Sequence, residues 1–426
     1  MCRRLWLSVA VLAAVLAVNA CTFSDQKGNE TVLELWTIAM KPRFVPYFER
    51  VLGEFESKHP GVRVSWLDLP QAAMLPKLMA SIAGGVPPDV VNLTTGTALR
   101  MAHSGALADV EEFITPACRA QYWPNLWKAA SFRDGTYAVP WYLSTRVLIY
   151  NRELVAQAGW PADRPPRTWE EVAELAAMVR RKTSAYGYEP VIRLLDDWRM
   201  AGVRIYDEKT GRAAFNSDLG RQRLTWYADL RREGLIPEET LIEGYQGAVD
   251  RYKQGRLALL EAGPQLLLNI EADAPQIYAK TDIGLLPTGQ SGEIPAALMN
   301  FAVPRSSRKR ALAVQLALFI ADKRNQLALV EEVPLLPSVI VSENELLARR
   351  GEDKLRTKAL RCSFAQLPRA RDFALGLQNS SDLEKAVKEA VEMTFYGQGT
   401  VQEALSAAEK QWNSIAAADI KGNCHE

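Results

Sequence analysis

Val32-Leu33-Glu34-Leu35-Trp36 alternates apolar and polar residues in the period-two pattern of a half-buried strand. Apolar residues then recur at helical spacing from Phe44 to His59, with Phe44, Phe48, Val51, Leu52 and Phe55 on one face, until Pro60-Gly61 stops the pattern. Val62-Arg63-Val64-Ser65-Trp66 alternates again. The spacing predicts a second helix over 72–83, ended by Gly84-Gly85, and a third strand at Asp89-Val90-Val91-Asn92-Leu93. Strands alternating with helices predict a mostly parallel sheet covered on both faces. In such α/β sheets, ligands sit beyond the carboxyl ends of the strands.

The rest of the chain continues in this style. Tyr137 to Asn151 reads as one long extended segment. Thr168 is placed to cap a helix, with Glu171 completing a capping box. The region 168–270 is mostly helical, and Asp282 to Pro287 returns to strand. A long helix is expected over 307–330, a short extended crossing at Val333 to Pro337, and an amphipathic helical tail over 381–417.

The 426 residues exceed what one hydrophobic core usually serves, so two lobes are expected. Residues 1–21 have the build of a secretory signal. Arg3-Arg4 precedes an apolar run from Leu5 to Val18, too short to span a bilayer, and Val18-Asn19-Ala20-Cys21 closes it with small residues. The terminal Cys21 resembles the lipid-bearing cysteine of a bacterial lipobox; the competing reading is an ordinary signal with an incidental cysteine. Lipidation of Cys21 would leave the protein outside the cytoplasmic membrane, periplasmic or at the cell surface, with residues 22–31 as a leash. Of five cysteines, Cys118, Cys362 and Cys424 remain for the mature protein, without zinc-site spacing. A Cys362–Cys424 disulfide is mildly preferred, and none is expected between Cys118 and Cys362. A net charge of +1 gives no electrostatic hold on nucleic acid.

Four ordered segments carry a family resemblance. They are Leu33 to Trp36 with Phe55 to Val64; Ala83 to Val91 with Gly105 to Asp109; Gly135 to Pro140 with Tyr150-Asn151 and Pro166 to Glu171; and Tyr252 to Leu260 with Gly263-Pro264 and Gly284 to Pro287. In this order the chain resembles the extracellular solute-binding proteins of sugar ABC importers. The resemblance implies an α/β, class II type periplasmic-binding-protein fold, with two discontinuous lobes hinged by extended crossings. It places residues 32–139 and 288–334 in lobe 1, and 140–287 and 335–426 in lobe 2, with crossings near 139–145, 288–297 and 334–338. It implies capture of a mono- to trisaccharide or glycoside between the lobes, delivery to the transmembrane subunits of an ABC permease, a monomeric state and no cofactor.

A sugar presents hydroxyls at its rim and C–H faces on its ring, so its site needs aromatic planes and fixed donors and acceptors. Trp36 ends the first strand, as a platform or as core. Thr94, Thr95 and Thr97 follow the third strand, as ligands or as a helix cap. Trp141, Tyr142 and Ser144 lie on the first crossing, which the family uses as its cleft floor. Gly263-Pro264-Gln265 matches a turn that often carries a stacking aromatic in relatives, and Gln265 makes this contact more polar. Glu189, Asp197 and Trp198 are placed loosely in the second lobe, with a solvated acidic loop as the competing reading. Asn300 offers both a donor and an acceptor. Lys41 and Arg43 follow the first strand, where they could meet a polar ligand or simply be solvated.

His59, His103 and His425 are far apart and show no metal spacing, and neither a nucleophile elbow nor a phosphate loop is found. The sequence is therefore read as a binder and not an enzyme. A solute-sensing receptor lipoprotein is the alternative, followed by a secreted glycoside hydrolase, which needs only two carboxylates.

Overall fold

The computed structural model describes residues 30–422 apart from 208, 349–352 and 378, and it leaves out the side chains of 418–422. The expected signal and Cys21, most of the leash, and the Cys424 partner of the preferred disulfide lie outside the described residues. Cys118 and Cys362 are free thiols.

The opening β-α-β-α-β pattern folds as β1 (Thr31–Ile38), α1 (Val45–Lys58), β2 (Val62–Leu69), α2 (Gln71–Ala83) and β3 (Val90–Thr94), followed directly by α3 (Thr95–His103). β1 pairs in parallel with both β2 and β3. Phe48, Val51 and Phe55 on α1 are completely buried, as their spacing requires.

The long extended segment is two strands, β4 (Val139–Thr145) and β5 (Val147–Asn151), which belong to different sheets. Next come α4 (Trp169–Lys182), β6 (Tyr186–Tyr188), α5 (Leu194–Ala201), α6 (Asp218–Arg232), α7 (Thr240–Lys253), β7 (Leu257–Ala262) and β8 (Thr281–Gly284). β9 (Ile294–Ala302) returns to the first sheet. It is followed by α8 (Arg310–Ile320), α9 (Lys323–Glu332), β10 (Leu336–Pro337), α10 (Lys354–Gln366), β11 (Ala370–Arg371), α11 (Ser380–Phe395) and α12 (Val401–Gly422). The larger sheet has the order β10-β4-β9-β3-β1-β2, with β11 also on β9, and the smaller has the order β8-β5-β7-β6. Two α/β lobes result.

Three boundaries differ from expectation. The lobe boundary drawn at 139/140 moves to Arg146, because β4 pairs with β9 and β10 in the larger sheet. The second crossing runs from Gly284 to Ile294, slightly earlier than 288–297. Residues 334–338 are not the third crossing: β10 pairs with β4, and Val339, Val341 and Leu346 remain in the first lobe's core. α10 lies between the lobes, with Leu360 in the first lobe's core and Ala359 in the second's, and the third passage follows β11, where Ala370 is still in the first lobe's core and Phe373 and Leu375 are in the second's. An extended run fixes a strand but not its sheet, which depends on distant partners.

The expected long helix is broken, and the helical tail is made of two helices. Asp322 caps α9 by accepting from the Asn325 N–H at 2.7 Å, so 307–330 contains two helices. Gly397, in the left-handed region at φ 67°, separates α11 from α12. At α4, Thr168 accepts from the Glu171 N–H at 3.2 Å, but the Glu171 carboxylate takes the Arg167 N–H at 2.7 Å instead of closing the expected box on Thr168.

Asp89 fastens the amino end of β3. Its buried carboxylate accepts from the Glu34 N–H at 2.9 Å, the Ser307 hydroxyl at 2.7 Å and the Lys309 ammonium at 2.7 Å. It thereby ties the chain entering α8 to the opening sheet. Asp89→Ala orphans the first two donors, so it is expected to lower unfolding free energy by about 2–3 kcal/mol; urea denaturation measures the loss.

Candidate functional site

Strand direction decides which residues meet between the lobes. β9 runs antiparallel to both β3 and β4, so β3 and β4 are parallel to one another. The carboxyl ends of β1, β3 and β4 therefore share one edge of the larger sheet, carrying Ile38 to Lys41, Thr94 to Thr97, and Ser144 to Arg146. In the smaller sheet, Val147 at the start of β5 lies opposite Ala262 at the end of β7, and β6 runs parallel to β7. The residues after β6 and β7 thus sit at the edge where β5 begins. Only Arg146 separates β4 from β5, so the two edges face one another.

Several expected residues are at this junction. Thr94 and Thr97 are half-buried and bonded to each other, with 3.0 Å between hydroxyls, and Arg100 donates to Thr97 Oγ1 at 3.2 Å. Thr94 is the N-cap of α3, as the capping reading expects. Tyr142 and Ser144 are half-buried, and the Ser144 hydroxyl donates across the lobes to Gln265 Oε1 at 3.5 Å. Gly263 makes room for the exposed Gln265, because a Cβ at 263 would lie 2.3 Å from Gln265 Oε1. Lys41 is exposed, with its ammonium 4.4 Å from the Trp66 ring centre, while Arg43 donates to the Glu332 carbonyl at 2.6 Å.

Other expected residues are interior. Trp141 is completely buried between Phe301 and Phe48, at ring distances of 4.4 and 5.9 Å. Trp198 is equally buried, stacked 4.9 Å from Phe215 with its indole N–H on the Gly220 carbonyl. Neither ring can face a ligand here. Trp36 is 5% exposed and belongs to the core between α2 and α3. Glu189 is 1% exposed and is spent on Arg251, at 2.8 and 2.9 Å. Asn300 and Thr95 lie inside β9 and α3, bonded to one another at 3.1 Å. Asp197 is buried and accepts from the Tyr227 hydroxyl at 2.5 Å.

The charged floor of the junction centres on Arg146, which the sequence reading passed over. Its guanidinium lies 3.4 Å from Glu261 and 3.8 Å from Asp196, and Arg193 Nε also reaches Asp196 at 3.1 Å. Burial opposes the Arg146 charge, but Glu261 and then Asp196 outweigh it, holding its pKa above the usual value. Beneath them the Tyr188 hydroxyl donates to Glu261, and Arg223 stands 3.4 Å from the Tyr227 hydroxyl. Burial pushes the Asp197 carboxyl up to about 6, against the pull of Arg223.

Tyr245 was also missed. It is 42% exposed, and its hydroxyl is close enough to Arg146 for that charge to offset part of the rise caused by burial. Gly244, at φ 55° and ψ −143°, kinks α7 immediately before it, a conformation open to glycine. Among the described residues no cluster of three or more His, Cys, Asp or Glu could hold a metal ion, and no helix is long and apolar enough to cross a membrane.

The family profile described as bacterial extracellular solute-binding protein matches residues 41–327. The chain belongs to that family. This solute-binding protein is 34% identical to a candidate oligosaccharide periplasmic-binding protein from Synechococcus sp. MITs9220, with a TM-score of 0.81 over 91% of this chain and 99% of that one. It is 25% identical over 287 residues to an uncharacterized lipoprotein of Streptomyces antibioticus, the match spanning 65% of this chain and 63% of that protein. It is 26% identical over 186 residues to the sn-glycerol-3-phosphate-binding periplasmic protein of Brucella suis, 42% of each chain. The two-lobed fold is thus shared with periplasmic sugar-binding proteins.

The raised Asp197 pKa has a definite sign for this solute-binding protein. An acid whose folded pKa lies above its unfolded value contributes most to stability at low pH, and that contribution is lost as pH rises from about 4 through about 6. Asp197→Asn cannot titrate. The stability of the unmodified protein relative to this variant is expected to fall by about 2–3 kcal/mol across that window. Urea denaturation of both proteins at pH 4, 5, 6 and 7.5 measures the difference.

Proposed function

We propose that this solute-binding protein captures a small neutral carbohydrate, a mono- to trisaccharide or a glycoside, between its lobes. It delivers the carbohydrate unaltered to an ABC permease while tethered outside the cytoplasmic membrane through lipidated Cys21. One observation carries the choice of a neutral guest. The guanidinium on the cleft floor is already paired: Arg146 lies between Glu261 and Asp196, and Arg193 shares Asp196. A phosphate would have to displace these carboxylates or share their space, at the cost of leaving buried charge unpaired. A sugar hydroxyl can instead donate to a carboxylate oxygen and accept from an N–H, so it joins the existing pairs without breaking them.

The groups nearest this floor suit a sugar. Tyr245 offers an exposed ring, Ser144 and Gln265 offer adaptable hydrogen bonding, and Thr94 and Thr97 lie on the same sheet edge as Ser144. Tyr245 takes the stacking part that the Gly263-Pro264-Gln265 turn leaves unfilled. The Synechococcus relative, described as an oligosaccharide-binding protein, supports this reading more than the glycerol-3-phosphate-binding relative, whose likeness is to a smaller part of the chain. The Streptomyces lipoprotein supports the acyl anchor.

Isothermal titration against a panel of neutral sugars, glycosides and glycerol 3-phosphate is expected to show binding of a neutral member only. A response confined to glycerol 3-phosphate overturns the guest class. With the bound sugar in hand, Tyr245→Ala is expected to weaken affinity at least about fivefold, the scale of one lost aromatic contact near 1 kcal/mol, without changing the melting temperature. Palmitate labelling in cells is expected to tag the unmodified chain and not Cys21→Ser.

A further inference from the structure

Two of the three passages between the lobes meet at one side chain. Gln366, the last residue of α10, is completely buried. Its Nε2 donates to the Arg146 carbonyl at 2.9 Å, and its Oε1 accepts from the Leu286 N–H at 2.9 Å. Arg146 is the single residue between β4 and β5, and Leu286 lies two residues beyond the end of β8, on the way to β9. Gln366 itself ends α10, the helix that lies between the two cores, and the third passage comes later, beyond β11. Both backbone groups lie just outside their strands, where the sheet ladders no longer bond them. The amide cannot be turned round, because an N–H only donates and a carbonyl only accepts.

We propose that Gln366 is a positioning residue for solute capture, its amide pinning the first two passages to the end of α10 as one pivot so that the lobes move as two bodies about a fixed axis. Hinge motion between lobes is absorbed by a few residues at the crossings. Two independent crossings would each flex in their own direction, whereas two crossings bonded to one buried amide must turn together. Asn125 provides a contrast. Its Nδ2 donates to the Leu367 and Ala370 carbonyls at 3.1 and 2.7 Å, so it fastens β11 within the first lobe and bonds neither of the two passages that Gln366 holds. Loss of Asn125 therefore costs stability without freeing the pivot.

The test needs no solute and so stands or fails apart from the carbohydrate reading. Spin labels are attached through a ketone-bearing amino acid at Lys128 in the first lobe and Lys182 in the second, both exposed, leaving the native cysteines untouched. Double electron–electron resonance is expected to give one narrow interlobe distance for the otherwise unmodified protein. Gln366→Met, which fills similar space without hydrogen bonds, is expected at least to double the width. Asn125→Leu is expected to lower the melting temperature and leave the width unchanged. An unchanged width in Gln366→Met, equal broadening in Asn125→Leu, or a broad distribution without either substitution overturns the proposal. If Gln366→Met fails to fold, Gln366→Glu replaces it. That variant keeps the acceptor for Leu286 and loses the donor for Arg146, and an unchanged width there overturns the proposal equally.

Discussion

One residue of chain separates a strand of the larger sheet from a strand of the smaller one, and the architecture of the cleft follows from that. Because β4 ends at Thr145 and β5 begins at Val147, the carboxyl edge of one sheet cannot lie far from the opening edge of the other. Strand direction then does the sorting. The parallel strands of the first lobe deliver their terminal loops to this edge, and the pairing of β7 and β6 brings the second lobe's loops to meet them. Side chains separated by more than a hundred residues, such as Ser144 and Gln265, come within 3.5 Å without any local signal that they should.

The floor of this junction is polar, buried and crowded with charge, an arrangement that is costly unless every member has a partner. Glu261 is shared between Arg146 and the Tyr188 hydroxyl, and Asp197 is held by Tyr227 next to Arg223. Such a network adds less to stability than an apolar core of equal volume would, and its value lies elsewhere. It fixes the outward-facing atoms of Arg146 and Asp196 before a guest arrives, so little side-chain ordering remains to be done on binding.

The opening sheet was legible because both of its periodicities are clean: period two in Val32 to Trp36, helical spacing from Phe44 to Phe55. The same rules also held information on the site that residue type obscured. Along β4, Trp141, Leu143 and Thr145 point into the core while Tyr142 and Ser144 point the other way, so alternation already forbids Trp141 and Tyr142 from lining one surface. Along α5, Leu194, Asp197 and Trp198 share the inward face, which leaves Asp196 as the residue turned toward Arg146. The chemistry of tryptophan and aspartate drew attention to Trp141 alongside Tyr142 and to Asp197 in place of Asp196, and facing would have corrected both. Tyr245 and Gln366 gave no comparable signal. One depends on a kink at Gly244, and the other on two passages whose meeting point is set by tertiary pairing.

These features bear on affinity in a way contact counting misses. A guest held by both lobes closes them only to the extent that it binds the closed arrangement better than the open one. Observed affinity is therefore the intrinsic affinity reduced by the fraction of molecules with the lobes correctly poised. The ionic floor belongs to the intrinsic part, since it presents atoms in fixed places within one lobe and its hinge. Gln366 belongs to the other part, since it touches no guest and acts on which lobe arrangements are accessible. A chain with fewer aromatic platforms than its eleven tryptophans promise can still bind firmly if its pivot narrows the search, because conformational freedom removed before binding is not lost again when the guest arrives.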